Sequence, residues 1–390
     1  MAALAPTQFP LVEVHFVANA QNEWVALSVR VERAANEADA LKEIFGSPDL
    51  LAAIAPLDCV LQLDGLAVLT PPILKLLPAN RVVLAVAASA LAQEGGAGQL
   101  AALHERGYQV LLDGPLPAGV QRPFALRSVA LDCTAAAPAP ATLPPLFGPH
   151  LARGVDSFER FGECETAGFN WFSGDYPLHP APARGRAQDA TSRRRLLSLL
   201  ALLARDADSR ELEALLKQDA ALSFHLLKLV NSAAFAASTE INSFGQAINL
   251  LGRRQLQRWL QLLLYARQHD DGLPNLMLPL AALRGAHMEA LSRHDGDDRE
   301  AQDLAFMTGV FSLLDRLFAA PMEELVGDLK LPPHVSGALL RREGPLGRRL
   351  RLVEAAPARA ALREAGIDNA AWWRSQLHAW HWAIQVGRNV

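Results

Sequence analysis

Two His–Asp dipeptides are the residues of this chain whose types could most directly do metal chemistry. They are His269-Asp270 and His294-Asp295. Imidazole nitrogens and carboxylate oxygens that meet in one cavity hold the divalent ions that activate water for hydrolysis. Each dipeptide is followed by glycine and further aspartates, a composition typical of exposed loops. We therefore expect neither dipeptide to be a metal site.

Patterns for nucleophilic or phosphate chemistry are missing from the sequence. It has no Gly-x-Ser-x-Gly elbow, no phosphate-binding Gly-rich loop and no Cys-x-x-Cys. The glycine-rich run at residues 95–98 lies between helical patterns and predicts a flexible turn. The three cysteines, Cys59, Cys133 and Cys164, are widely separated, which is typical of a reducing compartment. We expect no catalytic residue, no metal and no cofactor.

Length and charge narrow the class of protein. A chain of 390 residues predicts two domains. Its formal net charge of −4 argues against general binding to nucleic acid or to an anionic membrane. The first residues lack the pattern of a signal peptide, and the apolar runs are shorter than the roughly 20 residues of a spanning helix. The sequence therefore predicts a cytoplasmic protein.

The first half alternates between strand-like and helix-like segments. Short runs rich in Val and Leu predict strands at residues 11–17, 24–31, 59–63, 81–86, 108–112 and 129–131. Helix-length segments lie between or after them, at 37–45, 69–77, 98–105 and 157–167. This alternation predicts a parallel sheet with helical crossovers. Because a complete eight-strand barrel takes about 250 residues, we expect a shortened, trimmed or partly open α/β barrel.

A proline-rich segment separates this half from a helical one. Pro177, Pro180 and Pro182 cannot continue a helix or a central strand, so residues 177–190 are predicted to be a linker between domains 1–176 and 191–390. Beyond it the apolar residues recur with the period of a helix. The pattern predicts a capping box that opens a helix at Ser243, a stop at Gly252 and a further helix over 302–319. The second domain is therefore expected to be all-α.

Two segments of the helical half resemble the signature of HDOD domains. They contain Gln218-Asp219 followed by Asn231-Ser232, and then Gln246-Ala247-Ile248 followed by Leu251-Gly252. HDOD domains are all-helical relatives of the HD phosphohydrolases that have lost the metal-binding residues. A structural interpretation of the same residues remains open, because Asp219 and Asn231 can also begin and end helices.

The resemblance implies where a lost metal site would lie. In the related enzymes a His–Asp dipeptide follows a Gly-apolar-apolar step on a central helix. The matching segment here is 308–315, in which Ser312 and Leu313 take the two ligand positions. A leucine side chain cannot ligate a metal. His287, on the preceding helix, is interpreted as a relic of the first ligand.

The order of elements in the first half resembles the EAL phosphodiesterase domain, which cleaves cyclic di-GMP with Mg²⁺ or Mn²⁺. The matching segments are 25–28, 111–114, 129–132, 152–156 and 168–174. The motif Glu is missing around Val25 and Ala26. Where the family has a second Asp, a Lys and a late Glu, this sequence has Gly114, Ala130 and Arg153. The resemblance implies that the acidic residues left as relics are Asp113, Asp132 and Asp156.

The resemblance to EAL–HDOD proteins leads to three hypotheses. The first is a bacterial signal-transduction protein that is not an enzyme and acts by contacts with unidentified signalling proteins. The second is a cyclic di-GMP receptor whose EAL-like domain binds the dinucleotide without cleaving it. The third is a residual phosphodiesterase, which metal-dependent turnover of cyclic di-GMP would reveal.

Two surfaces are candidates for partner contacts. One is a groove whose lining residues would be Asn231, Ser232, Arg253 and Arg254. The other is the Trp-rich C-terminal end, where an apolar helical stripe leaves out Trp372 and Trp382. Tryptophan is favoured at interface hot spots. A homodimer formed through the helical domain or through this end is a further expectation.

Overall fold

The computed structural model describes most of the chain. The described residues are 9–32, 36–121, 123, 126–139, 143, 148–179, 198, 201–202, 208–216, 244–265, 275–329, 331–355 and 358–388. The chain divides into two compact units, Met1–His179 with Ile367–Trp373, and Pro180–Gly366 with Arg374–Val390. The predicted domain boundaries stay a prediction, because most residues of the predicted linker lie outside the described part.

Eight strands close into a barrel in the order of the sequence. They are β1 (Val12–Asn19), β2 (Trp24–Val31), β3 (Asp58–Leu63), β4 (Val82–Ala87), β5 (Val110–Asp113), β6 (Ser128–Asp132), β7 (Leu151–Arg153) and β8 (Trp171–Ser173). The predicted shortened α/β barrel is confirmed, and its closure decides against the partly open alternative. A short chain can close because β7 and β8 contain only three residues each. Runs of three residues are too short for periodicity to reveal.

The first strand departs from the predicted parallel sheet. β1 is antiparallel to both of its neighbours, β2 and β8, whereas the strands from β2 to β8 are parallel. A parallel connection needs about a dozen residues, and too few lie between Asn19 and Trp24. Asn19 closes the turn, since its Oδ1 accepts hydrogen bonds from the backbone N–H groups of Gln21 and Glu23, both at 2.9 Å.

Helices cover the outside of the barrel. They are α1 (Glu37–Phe45), α2 (Asp49–Ala53), α3 (Pro71–Leu74), α4 (Gly96–Glu105) and α5 (Phe158–Ala167). Local capping sets their ends. Asn36 accepts from the N–H groups of the first turn of α1, and Ser157 accepts from Arg160 N–H in α5. Gly168, with φ of 105°, ends α5 in the left-handed conformation that glycine tolerates.

The interior of the barrel is built in layers. A central layer is apolar and contains Val17, Ala26, Val60, Val83, Ala85, Leu111, Ala130 and Leu151. Side chains on a strand alternate between its two faces, so the residue two positions later points the same way. On β2, β3, β5 and β7 those residues are Ser28, Gln62, Asp113 and Arg153. A polar layer therefore lies above the apolar one, at the carboxyl ends of the parallel strands.

The rest of the described chain is helical, which confirms the predicted all-α part. Its helices are α6 (Ser209–Leu216), α7 (Phe244–Leu263), α8 (Met277–His294), α9 (Arg299–Phe311), α10 (Leu314–Phe318), α11 (Met322–Leu329), α12 (Pro333–Arg341), α13 (Gly344–Glu354), α14 (Arg359–Glu364) and α15 (Asn369–Gly387). Within the described residues, no helix has both the length and the apolar composition needed to cross a membrane.

Two predicted helix boundaries have different outcomes. Gly252 interrupts the helical geometry of α7 with φ of 73° and ψ of 158°, at the position predicted as a stop. The single helix predicted over 302–319 is instead two helices, α9 and α10. The break is at Ser312, whose hydroxyl donates to the Gly309 carbonyl at 2.7 Å, and at Leu313, which has non-helical torsions. Such local side-chain bonds compete with the helical pattern.

Helices α8 and α9 approach each other through a pair of glycines. A Cβ added at Gly309 would lie 2.6 Å from the Arg284 carbonyl oxygen and 2.8 Å from the Gly285 Cα. A Cβ added at Gly285 would lie 2.8 Å from Cγ2 of Val310. The backbones can therefore pack this closely only because neither position carries a side chain.

We expect Gly309→Ala to lower the free energy of unfolding of the helical unit by about 1–3 kcal/mol, because the new methyl group would overlap backbone atoms that cannot move independently. Gly327→Ala in α11 is the matched control, since nothing lies within 4 Å of its added Cβ. There the higher helix propensity of alanine should raise stability by about 0.5–1 kcal/mol. Urea unfolding of the two variants measures both effects. An equal change in the free energy of unfolding in both would contradict the close contact between α8 and α9.

Candidate functional site

The polar layer forms a mouth at the carboxyl ends of the barrel strands. Functional sites of α/β barrels lie at this face. Two cavities open here, of about 380 Å³ and 260 Å³. Both are lined by Arg30, Gln62 and Arg153. We refer to Ser28, Arg30, Gln62, Asp113 and Arg153 as the barrel mouth.

Hydrogen bonds and one ion pair order the barrel mouth. Gln62 Nε2 donates to Ser28 Oγ at 2.7 Å. Arg153 Nη2 donates to Asp113 Oδ1 in an ion pair. Burial raises the pKa of Asp113 above its usual value, even though the Arg153 and Arg30 guanidinium groups act in the opposite direction. The buried Nε of Arg153 has no hydrogen-bond acceptor.

The other two acidic relics point to local partners. Asp132 Oδ1 accepts from the backbone N–H of Thr134 at 2.9 Å and from its hydroxyl at 2.6 Å, and these bonds lower the pKa of Asp132. Asp156 Oδ1 accepts from the hydroxyl of Ser157 at 3.1 Å. The three relics therefore lie at neighbouring strand ends, but each carboxylate is engaged separately.

The donor set does not fit the metal ions that the EAL resemblance implies. Two-metal hydrolysis needs several carboxylates around ions about 4 Å apart. In the described part of the chain, no group of three or more His, Cys, Asp or Glu residues could hold a metal ion. Arg153, at the position to which the resemblance assigns the late Glu, is positively charged and forms an ion pair with Asp113.

Two further matched positions can be placed. Ala130, at the position to which the EAL resemblance assigns a Lys, is fully buried in the apolar layer. Gly114 follows Asp113 with φ of 100°, a conformation that glycine adopts readily. The sequence analysis did not single out Ser28, Arg30 or Gln62. The signal that could have found them is alternation, because each lies on the inward face of its predicted strand, beyond the apolar layer.

In the helical unit, an arginine lies beside the segment that resembles a lost metal site. Arg284 Nη1 donates to Ser312 Oγ at 2.9 Å and lies 3.4 Å from Glu354 Oε1. Burial lowers the pKa of Arg284, and Glu354 opposes that shift. A cationic guanidinium next to Ser312 would repel a metal ion at this position.

His287, the predicted relic of a first ligand, is a packed residue of α8. Its Nε2 lies 3.1 Å from the Ser375 hydroxyl oxygen, and burial lowers its pKa to about 3. The imidazole is therefore neutral at physiological pH. Desolvation alone accounts for the shift.

The His–Asp dipeptides do not form a site in the described residues. His269-Asp270 lies outside them. His294 is the last residue of α8, and Asp295 follows it as the helix cap. Asp295 Oδ2 accepts from Arg349 Nε at 2.9 Å and from its Nη2 at 2.5 Å. Arg349 therefore binds the Asp295 carboxylate at the C-terminal end of α8.

The candidate groove can be placed only in part. Asn231 and Ser232 lie outside the described residues, as does the side chain of Arg253. Arg254 is paired with Asp303, with 2.5 Å between Nε and Oδ1. This pair links α7 to α9, so Arg254 has a structural partner within its own unit.

The candidate tryptophans are packed. Trp372 is only 2% exposed. Trp382 is half-buried, and its ring centroid lies 5.3 Å from that of Trp259. The role of Trp372 as a partner anchor stays a prediction, and a partner could contact this side chain only after it became accessible. Helical periodicity placed it off the apolar stripe, but it is covered nonetheless.

Comparison with known proteins identifies part of the helical half. Residues 192–276 match the HDOD domain model. Over 204 residues the chain is 31% identical to the cyclic di-GMP phosphodiesterase CdgJ of Vibrio cholerae, covering 52% of this chain and 47% of that protein. It is 27% identical over 207 residues to the uncharacterized protein YuxH of Bacillus subtilis, covering 52% of this chain and 50% of that protein. The chain thus spans about half the length of these curated relatives. The resemblance to EAL–HDOD proteins is confirmed.

Solved structures match at low similarity. The complex of BlrP1 from Klebsiella pneumoniae with calcium and cyclic di-GMP aligns with 15% identity and a TM-score of 0.34, covering 45% of this chain and 56% of that chain. The PaMucR phosphodiesterase bound to cyclic di-GMP aligns with 13% identity and a TM-score of 0.33, covering 44% of this chain and 93% of that chain.

One prediction is corrected by these comparisons. The residues missing from the EAL-like and HDOD-like motifs predict a chain that is not an enzyme. A relative that is 31% identical over about half of the chain is named a cyclic di-GMP phosphodiesterase. The prediction of a non-enzyme is therefore wrong and is withdrawn.

The depressed pKa of His287 should appear in the pH dependence of stability. An unfolded histidine takes up a proton below about pH 6.5, whereas folded His287 does so only near pH 3. Its contribution to stability is thus complete above about pH 6.5 and is lost as pH falls towards 3. At pH 5 we expect this effect to lower the free energy of unfolding by about 2 kcal/mol relative to the His287→Gln variant. Urea unfolding of both proteins at pH 7.5 and pH 5 measures this difference, and parallel pH profiles would contradict a buried, neutral His287.

Proposed function

We propose that this chain takes part in cyclic di-GMP signalling and binds cyclic di-GMP at the barrel mouth. The observation that carries the proposal is the convergence of Arg30 and Arg153 on two adjoining cavities at the carboxyl ends of the strands. Guanidinium groups match the oxygens of phosphates in geometry and charge. Two arginines over one mouth therefore suit a ligand that carries two phosphates.

Uncharged polar groups of the barrel mouth suit the rest of such a ligand. Ser28 and Gln62 are hydrogen-bonded to each other and line the larger cavity. Amide and hydroxyl groups can both donate and accept hydrogen bonds, as recognition of sugar and guanine edges requires. The apolar layer beneath them seals the barrel, so a ligand would rest on the polar layer.

The relative from Vibrio cholerae supports the choice of ligand, since it is named for cyclic di-GMP. Because that relative is named a phosphodiesterase, hydrolysis of cyclic di-GMP by this chain should also be measured. The hypothesis of a protein that acts only through partner contacts has less support, because Trp372 is buried and Arg254 is paired within its own unit.

We expect purified protein to bind cyclic di-GMP in calorimetry, and Arg30→Gln to weaken binding about tenfold or more, because a hydrogen bond to a charged group contributes about 1.5–3 kcal/mol. Arg106→Gln is the matched control. It removes the same charge from an exposed residue that follows α4 and precedes β5, at the opposite end of the barrel. The control variant should bind as the unmodified protein does.

The same samples, incubated with Mg²⁺ or Mn²⁺, should be analysed by chromatography for the linear dinucleotide. Its appearance would add hydrolysis to the proposed binding. Absence of binding heat in the unmodified protein, with and without metal ions, would overturn the proposal. Equal loss of affinity in both arginine variants would show that Arg30 acts only through overall charge.

A further inference from the structure

We propose that Asp113 is a built-in competitor for Arg153, so that an anionic ligand must displace this carboxylate before it can engage the guanidinium. The inference rests on the proposed function, because it concerns how the same site selects its ligand. It gives Asp113 the role of a specificity-determining residue.

The barrel geometry brings the two side chains together. Asp113 ends β5 and Arg153 ends β7, so β6 lies between them. The residue of β6 that pairs with Asp113 is Ala130. Alanine has no long side chain to separate the two groups, and Asp132, the β6 residue that pairs with Arg153, is hydrogen-bonded to Thr134.

The contact between the two groups is incomplete. The ion pair joins a single nitrogen, Arg153 Nη2, to a single oxygen, Asp113 Oδ1. The Arg153 Nε is buried and has no acceptor. A phosphate group presents several oxygens and can accept from both nitrogens at once. A phosphate would therefore satisfy a donor that Asp113 leaves unmet.

The side chains are accessible enough for exchange. The Arg153 side chain is 27% exposed and that of Asp113 is 18% exposed. Arg153 lines both mouth cavities, while Asp113 lines the smaller one. A ligand in either cavity can therefore reach Arg153, whose Nη2 is held by Asp113 until this carboxylate is displaced.

The charges at the mouth explain why the competition would select among anions. Arg30 is exposed and lines both cavities, whereas the charge of Arg153 is neutralised by Asp113. A small anion can reach Arg30 without disturbing the ion pair. Displacement of Asp113 loses the free energy of its ion pair with Arg153. Only a ligand that also places a second phosphate on Arg153 recovers that free energy.

The test compares Asp113→Asn with the unmodified protein in calorimetric titrations with cyclic di-GMP and, separately, with inorganic pyrophosphate. We expect the variant to bind cyclic di-GMP at least tenfold more tightly and to gain measurable affinity for pyrophosphate. Glu105→Gln is the matched control, because it also removes one negative charge, from an exposed residue at the end of α4 that lines neither cavity. Its affinities should change less than threefold. Asp113→Ser repeats the test in case the asparagine variant does not fold.

The two probes separate this inference from the proposed function. If the unmodified protein binds cyclic di-GMP and Asp113→Asn binds it equally or more weakly, the competitor role is overturned while the proposed function stands. If no protein binds cyclic di-GMP, the proposed function fails, and pyrophosphate decides the inference. A gain of pyrophosphate binding in Asp113→Asn alone would uphold the competitor role, and no gain would overturn it. An equal gain in Glu105→Gln would also overturn it, since overall charge would then explain the effect.

Discussion

Closure of the barrel with alternating side chains is the constraint on which the rest of this site depends. Each strand sends every second residue into the interior, and eight strands that close on themselves bring those residues to common levels. The apolar level fills the centre with small and medium side chains. Two residues further on, the chain has left the packed core and reaches the strand ends. Polar residues can lie there because the cavities give them access to water and ligands.

In both units, an arginine lies next to a segment that resembles a lost metal site. Arg153 pairs with Asp113 at the barrel mouth, and Arg284 donates to Ser312 between α8 and α9. A guanidinium keeps its charge at any physiological pH and directs its donors in a fixed plane. It therefore offers permanent positive charge and directional hydrogen bonds to neighbouring oxygens. At the barrel mouth those properties favour binding of an anion. Arg284, in contrast, is buried among the side chains of its own unit.

Much of this fold could be predicted from local patterns. Six strands followed from runs of Val and Leu, and the helix predicted over 157–167 agrees with α5 to within one residue. β7 and β8 could not be predicted, since three residues carry no period. The antiparallel β1 depends on a short turn at Asn19, a signal that was present in the sequence. Ser28, Gln62 and Arg30 were missed because single polar residues at strand ends acquire meaning only when the barrel sets them at one level.

Tertiary packing overrode pattern elsewhere. Trp372 lies off the apolar stripe of its helix but is buried, because burial of a helix on more than one side cannot be inferred from a single stripe. The break at Ser312 has a local cause instead, because its hydroxyl bonds to the Gly309 carbonyl of its own helix. Only the burial of Trp372 is decided by contacts that the linear sequence does not display.

The energetics of Asp113 suggest why its pair with Arg153 matters for function more than for stability. Burial raises the pKa of this carboxyl although two arginines favour its charged form, so the loss of hydration outweighs the attraction. A group whose pKa is raised on folding stabilises the protein below its usual titration range, and that contribution is lost as pH rises. Ionisation of this buried carboxyl is therefore a cost to the fold. Buried ion pairs are often no more stabilising than apolar replacements. The pair with Arg153 only partly offsets the cost of burying this carboxyl and leaves a donor of Arg153 unmet, so a better-matched anion can replace Asp113.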